Sequence, residues 1–393
     1  MPRPFLALIA ASLSCAALAN PHQEAARELD QTIAERYAYL DDLPGAQVPK
    51  SEELEIQRDA VRDGRSLLRY AETRLATLAD HHAITGSSFS DSWAVIPTYA
   101  DLWVVREGAR FAVDAVREGS PAEEAGVAAG NTITHVNGEP IDKAVAAFWA
   151  EMGLEVTVAR AGYAARVLLA GRRDRLRVFT IVDAAGQERQ LTLPSLYDVP
   201  SPPLDPLRVC VGEEQAVIRF NNGLGDSATI AAFDEALAAT PETHQLVLDL
   251  RDTPSGGNTM IARAIMGWFV EKARSYQTHL SPVEERMTGV ARQWVEQVLP
   301  REGKYRSQMP VLRVGRWTGS MGEGLAIGFD ALGADVFGTR MAGLKGAIED
   351  IRIGDTDLVV KLPTERLLSV SGLPREDFVP EPIPLERFES PKC

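Results

Sequence analysis

The feature that most constrains the fold of this 393-residue chain is an alternation of apolar runs and amphipathic stretches between residues 207 and 388. Residues 215–220, 246–250 and 311–314 are short runs typical of buried strands. Stretches with helical spacing follow each of them, beginning near Ser227, Asn258 and Ser320. Strands that alternate with helices predict an α/β layer in which helices pack on a sheet. This half of the chain is therefore expected to form one α/β domain.

The first half of the chain has a different character. Residues 20 to about 90 repeat apolar side chains at helical spacing and predict a small helical region. Residues 91–198 contain short β-rich runs, at residues 102–105, 111–116, 132–136, 176–182 and 188–193. The proline-rich stretch of residues 200–206 predicts a linker to the domain at 207–388.

The N-terminus has the pattern of a cleavable export signal. Arg3 precedes an almost wholly apolar run, and Ala17-Leu18-Ala19 is a small-x-small cleavage site. The run is too short to span a bilayer comfortably. Cys15 raises the alternative of a lipoprotein, but the residues before it fit a lipobox poorly. The sequence thus predicts a signal peptide at 1–19 and a periplasmic or secreted protein without a stable membrane span.

The composition narrows the possible partners. A net charge of −14 argues against nucleic acid and anionic membranes. Cysteine and histidine show no metal-type clustering, so neither a metal nor another cofactor is expected. An oxidising compartment would permit a disulfide between Cys210 and Cys393.

One segment of the β-rich region resembles a known peptide-binding module. Residues 119–138 read GSPAEEAGVAAGNTITHVNG, which is similar to the core motif of PDZ domains, with Asn131 where aspartate is usual. Such domains add an extended peptide to a sheet edge as a further strand. The resemblance implies that the peptide would lie along Leu102, Trp103 and Val104. Protein or peptide partners are therefore expected.

The α/β half carries residues suited to acyl transfer. Ser320 follows an apolar run and precedes a helix, where amides and the helix dipole favour an oxyanion. A lysine such as Lys345 can remove a serine proton if burial keeps it neutral. Ser320 and Glu323 also form Ser-x-x-Glu, which by itself predicts an ordinary capping box.

Four segments resemble motifs of the C-terminal (tail-specific) processing peptidases, a serine peptidase family. Residues 246–257 (LVLDLRDTPSGG) look like the family's Leu-Asp-Leu-Arg-x-Asn-Pro-Gly-Gly, and residues 320–323 (SMGE) look like its Ser-Ala-Ser-Glu. Residues 336–346 (VFGTRMAGLKG) look like its Val-Gly-x-x-Thr-x-Gly-Lys-Gly, and residues 372–377 (GLPRED) look like its closing motif. The resemblance implies a multidomain α/β protein with a helical element, a PDZ-like β-rich domain and a crotonase-like (ClpP/crotonase) protease core.

The same resemblance implies a role for individual residues. Ser320 falls on the nucleophile and Lys345 on the general base. Glu349 falls where the family has a glutamine that orients the lysine. Gly256 falls near the oxyanion-hole glycine, and the Met321 amide would be its partner. No cofactor is implied.

Two departures from the family motif leave the identity of the general base open. Leu344 stands where the family has glycine, and the Glu349 carboxylate would favour a charged lysine, which is a poorer base. Some relatives use a serine–histidine arrangement with a similar Asp-x-His segment before the PDZ domain. His82, and next to it His81, are therefore alternative bases.

Three functions remain in competition. The first is an exported serine endopeptidase that engages protein substrates through its PDZ-like domain. The second is a catalytically inactive peptide-binding adaptor with the same fold. The third is an unrelated crotonase-fold acyl-transfer enzyme, which the PDZ-like segment and the export signal disfavour.

Overall fold

The computed structural model describes residues 20–200 and 204–383. The predicted signal peptide, with Cys15, lies outside the described residues, and so does Cys393. Cys210 is disulfide-bonded. Across the described residues, no helix is both long and apolar enough to cross a membrane.

The N-terminal region is helical, as its spacing predicts. It comprises α1 (Pro21–Arg36), α2 (Glu52–Asp59) and α3 (Gly64–Ala76). Asn20, Ser51 and Asp63 cap these helices by accepting hydrogen bonds from main-chain amides. The short strand β1 (Ile84–Thr85) follows.

The β-rich region forms a sheet with three helices. Its elements are β2 (Leu102–Glu107), β3 (Arg110–Val116), α4 (Pro121–Glu124), β4 (Thr132–Val136), β5 (Glu139–Pro140), α5 (Ile141–Ala150), α6 (Val158–Ala170), β6 (Arg177–Val182) and β7 (Glu188–Leu193). The sheet order is β2-β3-β4-β6-β7 with antiparallel neighbours, and β5 also pairs with β4. The Asn137-Gly138 turn has positive φ at both residues, as the sequence signal requires. Helix α6 packs against the edge strand β2.

The α/β region contains two sheets. Its elements are β8 (Leu207–Val211), β9 (Gln215–Phe220), α7 (Ala228–Ala239), β10 (Gln245–Asp249), α8 (Thr259–Met266), β11 (Arg274–Leu280), α9 (Pro282–Thr288), β12 (Gln293–Val298), β13 (Val311–Val314), α10 (Met321–Leu332), β14 (Val336–Gly338), β15 (Ala347–Arg352) and β16 (Val359–Leu368). The first sheet has the order β14-β13-β10-β9-β8 and is parallel except for β8. This is the predicted alternation, and it places helices on the sheet.

The second sheet joins the α/β region to the helical region. Its order is β1-β16-β11-β12, and β15 also pairs with β16. One apolar cluster unites Leu29 and Ile33 of α1 with Val360 and Leu362 of β16. A second cluster unites the PDZ-like sheet with Trp317 and with the loop after β14. The helical region therefore packs against β16, and the PDZ-like sheet packs against the segment that precedes α10.

Candidate active site

Ser320 lies at a sharp turn between strand and helix. It follows β13, immediately precedes α10, and has φ 51° and ψ −113°. A positive φ is uncommon for a residue with a Cβ and usually persists only where surrounding contacts enforce it. Such a strained turn after a strand is the geometry that exposes a nucleophilic serine at the N-terminus of a helix.

The predicted oxyanion loop lies directly against this turn. Strands β10 and β13 are parallel neighbours, so the loops at their carboxyl ends meet. A Cβ on Gly256 would stand 2.8 Å from the Met321 amide nitrogen, so only glycine permits this approach. Met321 is the first residue of α10, and its N–H is among those with no intrahelical acceptor. The Gly256 N–H donates to Thr253 O (3.1 Å), which leaves the Met321 amide as the better-placed donor.

His82 is the side chain that the structure brings to Ser320. Its Nε2 lies 3.1 Å from Ser320 Oγ, and its Nδ1 lies 2.6 Å from the main-chain oxygen of Lys345. A carbonyl oxygen can only accept, so Nδ1 carries the hydrogen in the neutral ring. Nε2 is then left as an acceptor for the serine hydroxyl. This is the arrangement of a nucleophile, a base and a group that orients the base.

Burial keeps His82 neutral. The residue is 7% exposed. Burial, and then the nearby charge of Arg375, lower the pKa of His82 to about 4, although the hydrogen bond to Lys345 O opposes the shift. The imidazole is therefore unprotonated at neutral pH, with Nε2 free of a proton.

Glu323 connects the serine turn to the loop that holds His82. Its carboxylate accepts hydrogen bonds from the main-chain amides of Ser320 (2.9 Å), Gly343 (2.8 Å) and Leu344 (3.1 Å). Complete burial raises the pKa of Glu323 to about 7, against the lowering effect of Arg375 and of these amides. The predicted capping residue is thus also a bridge between the two halves of the site.

The side chains of Lys345 and Glu349 contact residues other than Ser320. Lys345 Nζ lies 3.9 Å from Asp42 Oδ2 and 4.8 Å above the ring of Tyr39. Only the main-chain oxygen of Lys345 contacts His82. Glu349 lies on β15, and its carboxylate pairs with Arg36 of α1 at 2.5 Å. The predicted lysine–glutamate pair is therefore absent from the described hydrogen bonds and ion pairs.

The remaining predicted residues lie at the PDZ-like domain. Leu102, Trp103 and Val104 are buried, with 1%, 3% and 0% exposure. Val104 O already accepts a hydrogen bond from Arg166 of α6 (3.1 Å). His81 lies between this strand and α6, and it does not reach Ser320.

Sequence reasoning did not find the residues that surround the histidine. Asp80 accepts a hydrogen bond from the His82 amide (2.9 Å), and the Tyr37 hydroxyl donates to Asp80 (2.9 Å). Arg375 donates to the main-chain oxygens of Leu344 and Gly346, both at 2.8 Å. The Asp-x-His pattern was a signal for Asp80. Nothing local marks Tyr37 or Arg375, because they meet the site only after the chain has folded.

Comparison with known proteins identifies structures of similar fold. A family model described as a PDZ domain matches residues 113–148. The photosystem II D1 C-terminal processing protease superposes with a TM-score of 0.56 at 17% identity, over 92% of this chain and 93% of that one. The chain has the fold of the C-terminal processing peptidases.

A second solved structure supports the same conclusion. Mature CPAF, solved in complex with lactacystin, superposes with a TM-score of 0.56 at 12% identity, over 92% of this chain and 93% of that one. A search of the curated proteins found no match. The predicted fold class, with a helical element, a PDZ-like domain and an α/β core, is confirmed.

Proposed function

We propose that this protein is a serine peptidase in which Ser320 is the nucleophile and His82 is the general base. One observation carries the proposal. His82 Nε2 lies 3.1 Å from Ser320 Oγ while Nδ1 is held by the Lys345 carbonyl, and Ser320 has a strained turn at the N-terminus of a helix.

The chemistry follows from these positions. Ser320 Oγ attacks the peptide carbonyl carbon as its proton passes to His82 Nε2. The carbonyl oxygen becomes an oxyanion beside the Met321 amide, which stabilises the developing charge. His82 then gives the proton to the departing amine, and an acyl-enzyme remains. Water activated by the same histidine releases the acid and restores Ser320.

The histidine is a better candidate for the base than Lys345. A base must lie within hydrogen-bond reach of the proton that it removes. His82 meets this condition, whereas the Lys345 ammonium group is directed to Asp42 and Tyr39. The contribution of Lys345 is its main-chain carbonyl, which any residue at this position supplies.

Protein or peptide substrates suit this site. The PDZ-like domain contacts both loops of the site, through Trp317 Nε1, which donates to Ala100 O (2.7 Å), and through the ion pair of Arg117 with Asp252 (2.7 Å). The export pattern of residues 1–19 supports an activity in the periplasm or outside the cell.

A labelling experiment tests the assignment. Wild-type protein should react with a fluorophosphonate probe at Ser320 and should cleave unfolded casein. Ser320→Ala and His82→Ala should each lower cleavage by about a thousandfold or more. Lys345→Arg should stay near the wild-type rate, because arginine keeps the carbonyl, the charge and the stacking on Tyr39.

The outcomes separate the alternatives. Loss of activity in Lys345→Arg with full activity in His82→Ala would show a lysine base. A wild-type protein that neither reacts with the probe nor cleaves casein would leave the peptide-binding adaptor as the function.

A further inference from the structure

Residues 80–82 direct three consecutive side chains to three different parts of the molecule. Asp80 faces the helical region, His81 faces the PDZ-like domain, and His82 faces the catalytic turn. Asp80 and His82 are buried, with 3% and 7% exposure, and His81 is partly buried. A catalytic histidine needs a fixed ring position, so the contacts of its neighbours bear on catalysis.

Asp80 links the histidine to the N-terminal helices. Its Oδ1 accepts a hydrogen bond from the His82 main-chain amide, and its Oδ2 accepts one from the Tyr37 hydroxyl, both at 2.9 Å. Tyr37 is fully buried and directly follows α1. The main chain at His82 is thus bound by Asp80, and Asp80 is in turn bound by Tyr37, which lies 45 positions before His82 in the sequence.

His81 fills the groove between β2 and α6. Its ring stacks on Tyr163 of α6 with centroids 4.4 Å apart and 16° between the planes. It meets Trp103 of β2 edge-on at 6.4 Å. Its Nε2 accepts a hydrogen bond from Arg166 Nε at 2.9 Å. The groove in which a PDZ domain would hold a ligand strand is therefore occupied by the residue next to the base.

We propose that Asp80 and His81 are positioning residues that hold the His82 imidazole against Ser320, each by an anchor in a neighbouring domain. Asp80 is anchored by Tyr37, and His81 is anchored by Arg166 and Tyr163. The inference rests on the proposed peptidase function. It adds that the helical region and the PDZ-like domain are parts of the catalytic apparatus, because they set the place of its base.

A matched pair of tyrosines tests the first anchor. Tyr37→Phe removes the hydroxyl that binds Asp80. Tyr70→Phe removes a partly buried hydroxyl from the same helical region, where Tyr70 donates to Asp30 at 2.6 Å. Both variants lose one tyrosine–aspartate hydrogen bond, and Tyr37→Phe should lose more thermal stability, because Asp80 is buried whereas Asp30 keeps its hydrogen bond from Arg74.

The rate of fluorophosphonate labelling distinguishes Tyr37→Phe from Tyr70→Phe. Tyr37→Phe should lower the maximal labelling rate about tenfold or more with an unchanged half-saturating probe concentration, since a small misplacement of a catalytic group is costly. Tyr70→Phe should keep the wild-type rate. Equal rates in the two variants would refute positioning through Tyr37.

A second series tests the other anchor. His81→Gln retains an acceptor for Arg166, whereas His81→Ala does not. The maximal labelling rate should fall in His81→Ala and recover in part in His81→Gln. A wild-type rate in His81→Ala would exclude the role of His81. If wild-type protein is not labelled at all, the peptidase assignment itself fails, which is a different result from equal rates in labelled variants.

Discussion

At the scale of single residues, the conformation of Ser320 depends on Glu323. A positive φ at a serine costs free energy, so its neighbours must hold it in place. Glu323 does so by accepting a hydrogen bond from the Ser320 amide. Its carboxylate also accepts hydrogen bonds from the amides of Gly343 and Leu344. The same carboxylate therefore holds both the turn at Ser320 and the loop whose carbonyl binds His82.

Glu323→Gln tests this double role. Glutamine has one acceptor oxygen, and its amide group would face at least one buried N–H donor. An unsatisfied buried donor costs about 1–3 kcal/mol. We expect thermal unfolding at a lower temperature and slower fluorophosphonate labelling. Unchanged labelling would show that the cap is only structural.

The proposed peptidase activity should persist at acidic pH. Because the pKa of His82 is lowered to about 4, the base stays unprotonated as pH falls from neutrality and is lost only near pH 4. A shallower decline near pH 7 is expected where Glu323 takes up its proton. The measurement is kcat/KM against pH. A rate that rises only into the alkaline range would contradict a histidine base.

At the scale of elements, a partly buried ionic cluster ties β11, β12 and β16 together. His279 of β11 contacts Glu365 of β16 at 2.7 Å and Glu296 of β12 at 3.1 Å. Burial would lower the pKa of His279, but the two carboxylates outweigh it and raise the pKa to about 9. Burial would raise the pKa of Glu296, but its hydrogen bonds with His279, Tyr276 and Gln277 lower it to about 2.

This cluster predicts a pH window for stability. The contribution of His279 is complete below its ordinary pKa of 6.5 and is lost as pH rises through about 9. The contribution of Glu296 is complete above 4.5 and is lost as pH falls through about 2. Thermal unfolding followed by circular dichroism should show His279→Gln losing stability between pH 4.5 and 6.5, with a smaller difference from wild type above pH 9. A difference that does not vary with pH would mean that packing, not charge, explains the loss.

At the scale of the whole molecule, the PDZ-like domain is bonded directly to the oxyanion loop. Arg117 donates to Asp252 in that loop (2.7 Å) and to Thr98 O (2.9 Å). Thr98 Oγ1 also lies 3.2 Å from Ser255 Oγ, next to Gly256. The position of the domain therefore bears on the loop that faces the reacting carbonyl.

Arg117→Ala tests this contact. Arg189→Ala is a matched control, because Arg189 also makes two hydrogen bonds, to Ala125 O and Gly126 O, within the PDZ-like domain. We expect about a tenfold or greater fall in the rate of casein cleavage for Arg117→Ala, since the loop that Arg117 holds packs Gly256 against the Met321 amide, and a displaced oxyanion donor costs at least this much. The control should cleave at the wild-type rate, and equal cleavage by both variants would show that the contact does not affect catalysis.

Much of the fold could be read from the sequence because its signals are local. The strands of the PDZ-like sheet and the helix after Ser320 depend on neighbouring residues, and the structure has them where the sequence predicted. The strands of the second sheet, such as β11 and β16, were missed. Their partners lie far apart in the sequence, and their apolar pattern depends on which face is covered.

The sequence by itself determined that Ser320 begins a helix beside a glycine loop, because short motifs encode the turns that bring these groups together. It could not determine which group faces the serine. Lys345 carries its carbonyl toward His82 and its side chain toward Asp42, and a choice between these two directions has no local signal. His82 lies 238 residues before Ser320 and reaches it only through packing of the helical region, the PDZ-like domain and the core. Tertiary structure decided the neighbours of the nucleophile, because long-range packing alone sets the direction of a buried side chain.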